Sequence, residues 1–161
     1  MIQPKMKFTC LCFVFIIFVV ACSQKKADLV KEEKVIRDLL LRERKAHFDR
    51  NADLFIGEFS DSMLSVNKGV VMRATPQERR KRIQGYFNSA EFIKWDDMAE
   101  PVIRFSDDAT LAYAIIQKEV IVNRRDSAGR SSIDTSHYAW TSIYRKQKGE
   151  WKVECNVSTN R

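Results

Sequence analysis

Two long stretches near the C-terminal end, Thr110–Arg124 and Ser132–Arg145, restrict the fold more than any other feature. Both are rich in β-branched and aromatic residues, and the polar loop Arg125–Arg130 separates them. Runs of this kind bounded by polar and glycine residues read as strands, and two in succession read as an antiparallel hairpin. The second alternates: Tyr138, Trp140, Ser142 and Tyr144 share one face, His137, Ala139, Thr141 and Ile143 the other. Lys146–Glu150 turns into a further strand, Trp151–Val157. Upstream, Trp95–Phe105 reads as a strand made irregular by Pro101, with a turn at Ser106–Ala109.

Helices come first. Asp28–Arg50 places Val35, Ile36, Leu39, Leu40, Ala46 and Phe48 mostly at spacings of three and four, with Asp28 as N-cap. Its charges read as a solvated face, and His47, near its end, reads as partly buried and structural. Asn51 caps a short second helix, Ala52–Phe59; Met63–Val66 reads as a short strand and Asn67–Gly69 as a turn. Thr75-Pro76-Gln77-Glu78 is a capping box with proline in the first turn, so a third helix runs to about Asn88. On it, Arg79-Arg80-Lys81-Arg82 is expected to point mostly to water, with lipid or lipopolysaccharide as the partner such a basic surface would meet. Helices followed by strands in hairpin order make the fold class α+β.

The N-terminus carries Lys5 and Lys7, then the apolar run Phe8–Val20, then Ala21-Cys22. The run is shorter than the about 20 residues of a spanning helix and has the layout of a secretory signal. Val19-Val20-Ala21-Cys22 resembles the lipobox of bacterial lipoproteins. The resemblance implies a signal peptide over 1–21, cut before Cys22, and lipid on the Cys22 thiol. Residues 22–27 form a tether and 28–161 the domain. Acylation makes membrane lipid the expected partner of Cys22, since two or more chains give stable anchoring. Ser23, which is not aspartate, favours the outer membrane of a Gram-negative cell envelope by the same resemblance.

The net charge of +7 becomes +5 without Lys5 and Lys7. For an exported protein this suits anionic head groups and does not point to nucleic acid. Of four cysteines, only Cys155 remains outside the signal and the acylation site, so no intramolecular disulfide is expected. His47 and His137 are the sole histidines, too few for a histidine-rich metal site, and no metal or cofactor is expected.

The order helix, helix, strand, helix and antiparallel strands resembles the nuclear transport factor 2-like superfamily, with the texture of its SnoaL-like and calmodulin-kinase-association-like members. The blocks that carry the likeness are Leu54–Gly69, Asp107–Tyr113 and Thr141–Val153. The resemblance implies a cone: a curved antiparallel sheet of about four to five strands on a long N-terminal helix and two shorter ones, with a ligand cavity at the open end. It directs Tyr138, Trp140 and Ser142 toward that cavity, joined by Tyr113, Ile115, Gln117 and Glu119 of the neighbouring strand. Ile115 and Ser142 occupy positions where some kinase-association members carry arginine, so an anion pocket loses its main donors there. Asp61 and His137 are the candidate bases of an enzyme. Fold alone does not decide among the functions such a cone serves. The favoured reading is a non-catalytic lipoprotein that binds a small apolar ligand or a partner. The alternatives are a SnoaL-like isomerase, cyclase or dehydratase using Asp61 or His137, and an envelope scaffold that forms a homodimer through its open sheet face.

Overall fold

The computed structural model describes residues 27–125 and 129–160; the expected signal segment, Cys22 and most of the expected tether lie outside the described residues, as does Asp126–Ala128. Helix α1 (Leu29–Phe48) starts where Asp28 Oδ1 accepts the Lys31 amide at 3.3 Å. Ion pairs one turn apart, Lys34–Asp38, Glu33–Arg37 and Lys45–Asp49, run along its wet side. Ile36, Leu39, Leu40, Ala46 and His47 are buried on the other. Helix α2 (Ala52–Ile56) is shorter than expected and ends at Gly57. Helix α3 (Pro76–Asn88) carries the full capping box, Thr75 and Glu78 each bonding the other's backbone amide.

Seven strands follow the order β2-β1-β7-β6-β5-β3 among the described residues, with β4 also paired to β5, which exceeds the strand count expected from sequence. The strands are β1 (Phe59–Asn67), β2 (Val70–Arg73), β3 (Glu91–Asp97), β4 (Val102–Phe105), β5 (Leu111–Arg125), β6 (Ser131–Gln147) and β7 (Glu150–Asn160). Two of the additions have plain causes. Pro101 lacks an amide, so the single irregular strand divides into β3 and β4, which pair with separate lengths of β5. Lys68 and Gly69 both have positive φ (49° and 77°), the conformation of a tight hairpin turn, and this folds Val70–Arg73 back onto β1 as the edge strand β2. The sheet is not wholly antiparallel: β1 lies parallel to β7, held at its start by the Val153 amide on Glu58 O at 2.8 Å.

Register sets which face is concave. Ala112, Ala114, Ile116, Lys118, Val120 and Val122 of β5 are buried, and they stand opposite Tyr144, Ser142, Trp140 and Tyr138 of β6. Phe92 and Trp95 of β3, Trp151 and Val153 of β7 and Phe87 of α3 complete a core against α1. Strand β1 departs from its pairing with β7 between Phe59 and Leu64. The freed carbonyls there are taken by Arg79, whose guanidinium bonds Ser60 O at 3.2 Å, Met63 O at 3.2 Å and Ala74 O at 3.0 Å. Arg79 is therefore buried, 3% exposed, rather than directed to water as its basic neighbourhood suggested.

Candidate functional site

Between α1, α3 and the concave face lies a cavity of about 290 Å³. Glu43 and His47 line it from α1, Phe55 from α2, Phe59 from the start of β1, Arg79, Arg82, Ile83 and Tyr86 from α3, and Trp95 from β3. Tyr138 and Trp140 of β6 close the far wall, and Ser65, Asn67, Asn156 and Ser158 supply polar groups from β1 and β7.

His47 is the hub of the aromatic wall. Its ring stacks on Trp95 at 3.6 Å between centroids and 23° between planes, and Phe55, Phe87 and Phe92 meet it in T-shaped contacts with ring centroids 5.1 Å away. Nδ1 lies 2.8 Å from Glu43 O, a contact that needs the proton on Nδ1 and leaves Nε2 with a lone pair. Burial pushes the imidazole down to about 4; the carbonyl works against this and Lys118 adds to it. His47 is therefore neutral at physiological pH. Glu43, one turn earlier, has its carboxyl pushed up to about 7 by burial; Lys118 opposes this and Asp97 reinforces it. Lys118 itself is 2% exposed on the concave face and donates to Asp97 Oδ1 at 2.6 Å.

Three buried polar atoms of lining residues have no hydrogen-bond partner: Trp95 Nε1, Trp140 Nε1 and Asn67 Oδ1. A buried donor without an acceptor costs about 1–3 kcal/mol. Trp151, by contrast, donates its indole proton to Glu32 Oε2 at 2.6 Å. The cavity thus offers flat aromatic walls, two buried indole donors without a partner in those walls, and a carboxyl that gives or takes a proton near neutrality.

The residues singled out from sequence divide between the faces. Tyr138 and Trp140 line the cavity. Ser142 shares their face but lies behind the wall, 3% exposed, its Oγ accepting from Asn156 Nδ2 at 3.1 Å. Tyr113, Gln117 and Glu119 are on the convex face, as is Ile115, because the register sets even-numbered β5 residues against Tyr138, Trp140 and Ser142. The direction expected for these four is corrected accordingly. Glu119 there pairs with Lys94, and His137 Nε2 lies 3.6 Å from its Oε1, so His137 too faces away from the cavity. Asp61 is exposed on β1. Neither candidate base reaches the cavity. Sequence reading missed Glu43, Arg79 and Trp95, and it set His47 aside. One signal was present: Ile36, Leu40, Glu43 and His47 form one stripe at helical spacing, so the core face of α1 runs on into two titratable residues. Among the described residues no three His, Cys, Asp or Glu side chains come together as a metal-ligand set.

No protein-family model matches the sequence, and no curated protein matches it. Solved structures do. A ketosteroid isomerase-like protein from Erwinia carotovora atroseptica superposes with a TM-score of 0.65 at 16% identity, over 81% of this chain and 96% of that one. A nuclear transport factor 2-like protein of unknown function from Pseudomonas putida gives 0.61 at 16%, over 84% and 89%. A protein with a cystatin-like fold from Caulobacter vibrioides gives 0.61 at 15%, over 81% and 90%. The described body therefore has the α+β cone fold of nuclear transport factor 2-like proteins.

Proposed function

We propose that the protein is an envelope lipoprotein, anchored through acylated Cys22 on the outer membrane of a Gram-negative bacterium, whose cone holds a small, flat, largely apolar ligand bearing hydrogen-bond acceptors. The observation that carries this reading is the pair of indole donors without a partner, Trp95 Nε1 and Trp140 Nε1, on residues that line an aromatic cavity. A ligand acceptor reaching either indole would supply the hydrogen bond that a buried donor requires. Fold neighbours of unknown function support a cone domain of binding type and say nothing of chemistry. The test is nitrogen–proton correlation spectroscopy with acetophenone as probe. The indole signals of Trp95 and Trp140 should shift, while that of Trp151, already bonded to Glu32, stays. Equal movement of all three, or none, would defeat the reading.

A second reading is an isomerase- or cyclase-type enzyme, and one observation favours it. Glu43, near 7, is the one carboxyl among the cavity-lining residues, and a carboxyl that titrates near the working pH in a cavity suits a general base. Deuterium uptake from solvent at the methyl group of acetophenone, absent in Glu43→Gln, would favour catalysis; no uptake favours binding alone. The homodimer expected through the convex face finds support in Tyr113, Ile115 and Ile143, which are 42%, 48% and 37% exposed there. Sedimentation of Ile115→Glu against the unaltered protein tests it.

A further inference from the structure

The net charge of the chain is concentrated in one stretch. From residue 22 onward the sequence carries +5; Ser62–Asn88 alone holds Lys68, Arg73, Arg79, Arg80, Lys81 and Arg82 against Glu78, also +5. The remainder is balanced. The fold gathers this stretch on one side, because α3 lies against the base of the β1–β2 ribbon: Arg82 Nη1 is 3.3 Å from Met72 Sδ, and Arg79 bonds Ala74 O.

Two of the six cations are engaged. Arg79 is buried on backbone carbonyls, and Arg80 forks onto Asp53 at 2.5 and 2.8 Å. Lys68, Arg73, Lys81 and Arg82 are exposed, and among the described residues none has a carboxylate within ion-pair distance. Of the nearby acids, Glu78, ionised in its cap with Thr75, is already counted in the +5, and Asp61 lies at the foot of the ribbon. Past the tip of the ribbon stand Val70 and Val71, 55% and 58% exposed. Two bare aliphatic side chains on an edge hairpin ringed by free cations are costly in water and suited to the boundary between head groups and acyl chains.

We propose that the β1–β2 ribbon and α3 dock on an anionic phospholipid bilayer, the ribbon entering the acyl boundary tip-first with Val70 on one of its faces and Val71 on the other, and Lys68, Arg73, Lys81 and Arg82 on the phosphates. The stretch exposes no aromatic ring fully to solvent, so it lacks the stacking platform of a nucleic-acid surface. Asn67 and Arg82 belong both to this face and to the cavity wall, so docking turns the cavity rim toward the bilayer, a source of apolar ligands. The proposal depends neither on the ligand nor on acylation of Cys22.

The test places the full chain in phosphatidylcholine vesicles with and without about one-third phosphatidylglycerol and reads hydrogen exchange at residues 68–73. Exchange there should slow about tenfold on the anionic vesicles and recover in high salt. Lys68→Gln/Arg73→Gln/Lys81→Gln/Arg82→Gln should abolish the slowing, and Val70→Ser/Val71→Ser should weaken it. Lys31→Gln/Lys34→Gln/Lys45→Gln/Lys148→Gln, an equal charge change elsewhere, should retain it. Unchanged exchange in β5 and β6 shows that each variant is folded. Equal rates on both vesicles, or loss of the slowing in the control set, would each overturn the proposal.

Discussion

Glu58 gives the sharpest test of the electrostatics. Its carboxyl is enclosed between α1 and β7, 6% exposed, and Oε1 accepts no hydrogen bond. Arg42 Nε stands 3.3 Å away, but that side chain is 53% exposed, so water screens much of its attraction. Burial dominates, Glu43 adds to it, Arg42 and Lys152 oppose it, and the carboxyl rises to about 8. In the unfolded chain the same group titrates near 4.5. Between those values the native state keeps a proton that the unfolded state has lost. Stability therefore falls as pH rises through the window and levels off above 8. One proton over one pH unit is about 1.4 kcal/mol, so from pH 6.5 to 8 Glu58 accounts for about 2 kcal/mol. Below pH 6.5 the opposite trend of His47 enters: held near 4 in the native state, it leaves the unfolded chain to take up a proton first, and stability drops with falling pH. Glu43, at about 7, adds a loss of under about 1 kcal/mol at the start of the window. The assay is urea denaturation at the two pH values, followed by tryptophan emission. Glu58→Gln should lose the 2 kcal/mol and retain only the Glu43 part. Equal stability of the unaltered protein at both pH values, or a full slope in Glu58→Gln, would refute the reasoning.

Arg79→Met should destabilise the protein by about 3 kcal/mol or more in thermal melts, because two buried carbonyls of the β1 bulge and the half-buried Ala74 carbonyl before α3 lose their donor; a change under about 1 kcal/mol would mean water replaces the guanidinium. Phe87→Ala should cost about 3–5 kcal/mol in urea denaturation, since Phe87 is fully buried at the centre of the ring cluster around His47. Cys22→Ser should leave an uncut precursor without lipid label in the expressing cell, read by intact mass; normal processing would remove the anchor.

The elements that could be read in the sequence are those whose causes lie within a few residues. The Asp28 cap, the Thr75–Glu78 box, the Asn67–Gly69 turn and the alternation of β6 are local chemistry, and all four are in the fold. On β6 alternation separated two faces, and the family resemblance alone named the one with Tyr138 and Trp140 as concave. The choice on β5 followed from neither, because period two gives two faces and only the pairing of Lys118 with Tyr138 says which one is concave. Pro101 announced an irregularity, yet whether it bends one strand or makes two depended on how much of β5 each piece could cover.

The site separates the two kinds of information most clearly. Order of elements, capping, turn residues and the α1 stripe through Ile36, Leu40, Glu43 and His47 were written in the chain, since each depends on neighbours a turn or a pleat away. The parallel seating of β1 on β7 joins residues about ninety positions apart, and the burial that moves Glu43, His47 and Glu58 from their ordinary titration exists only after that closure. Tertiary structure alone decided those, because desolvation belongs to the enclosure and not to any residue in it.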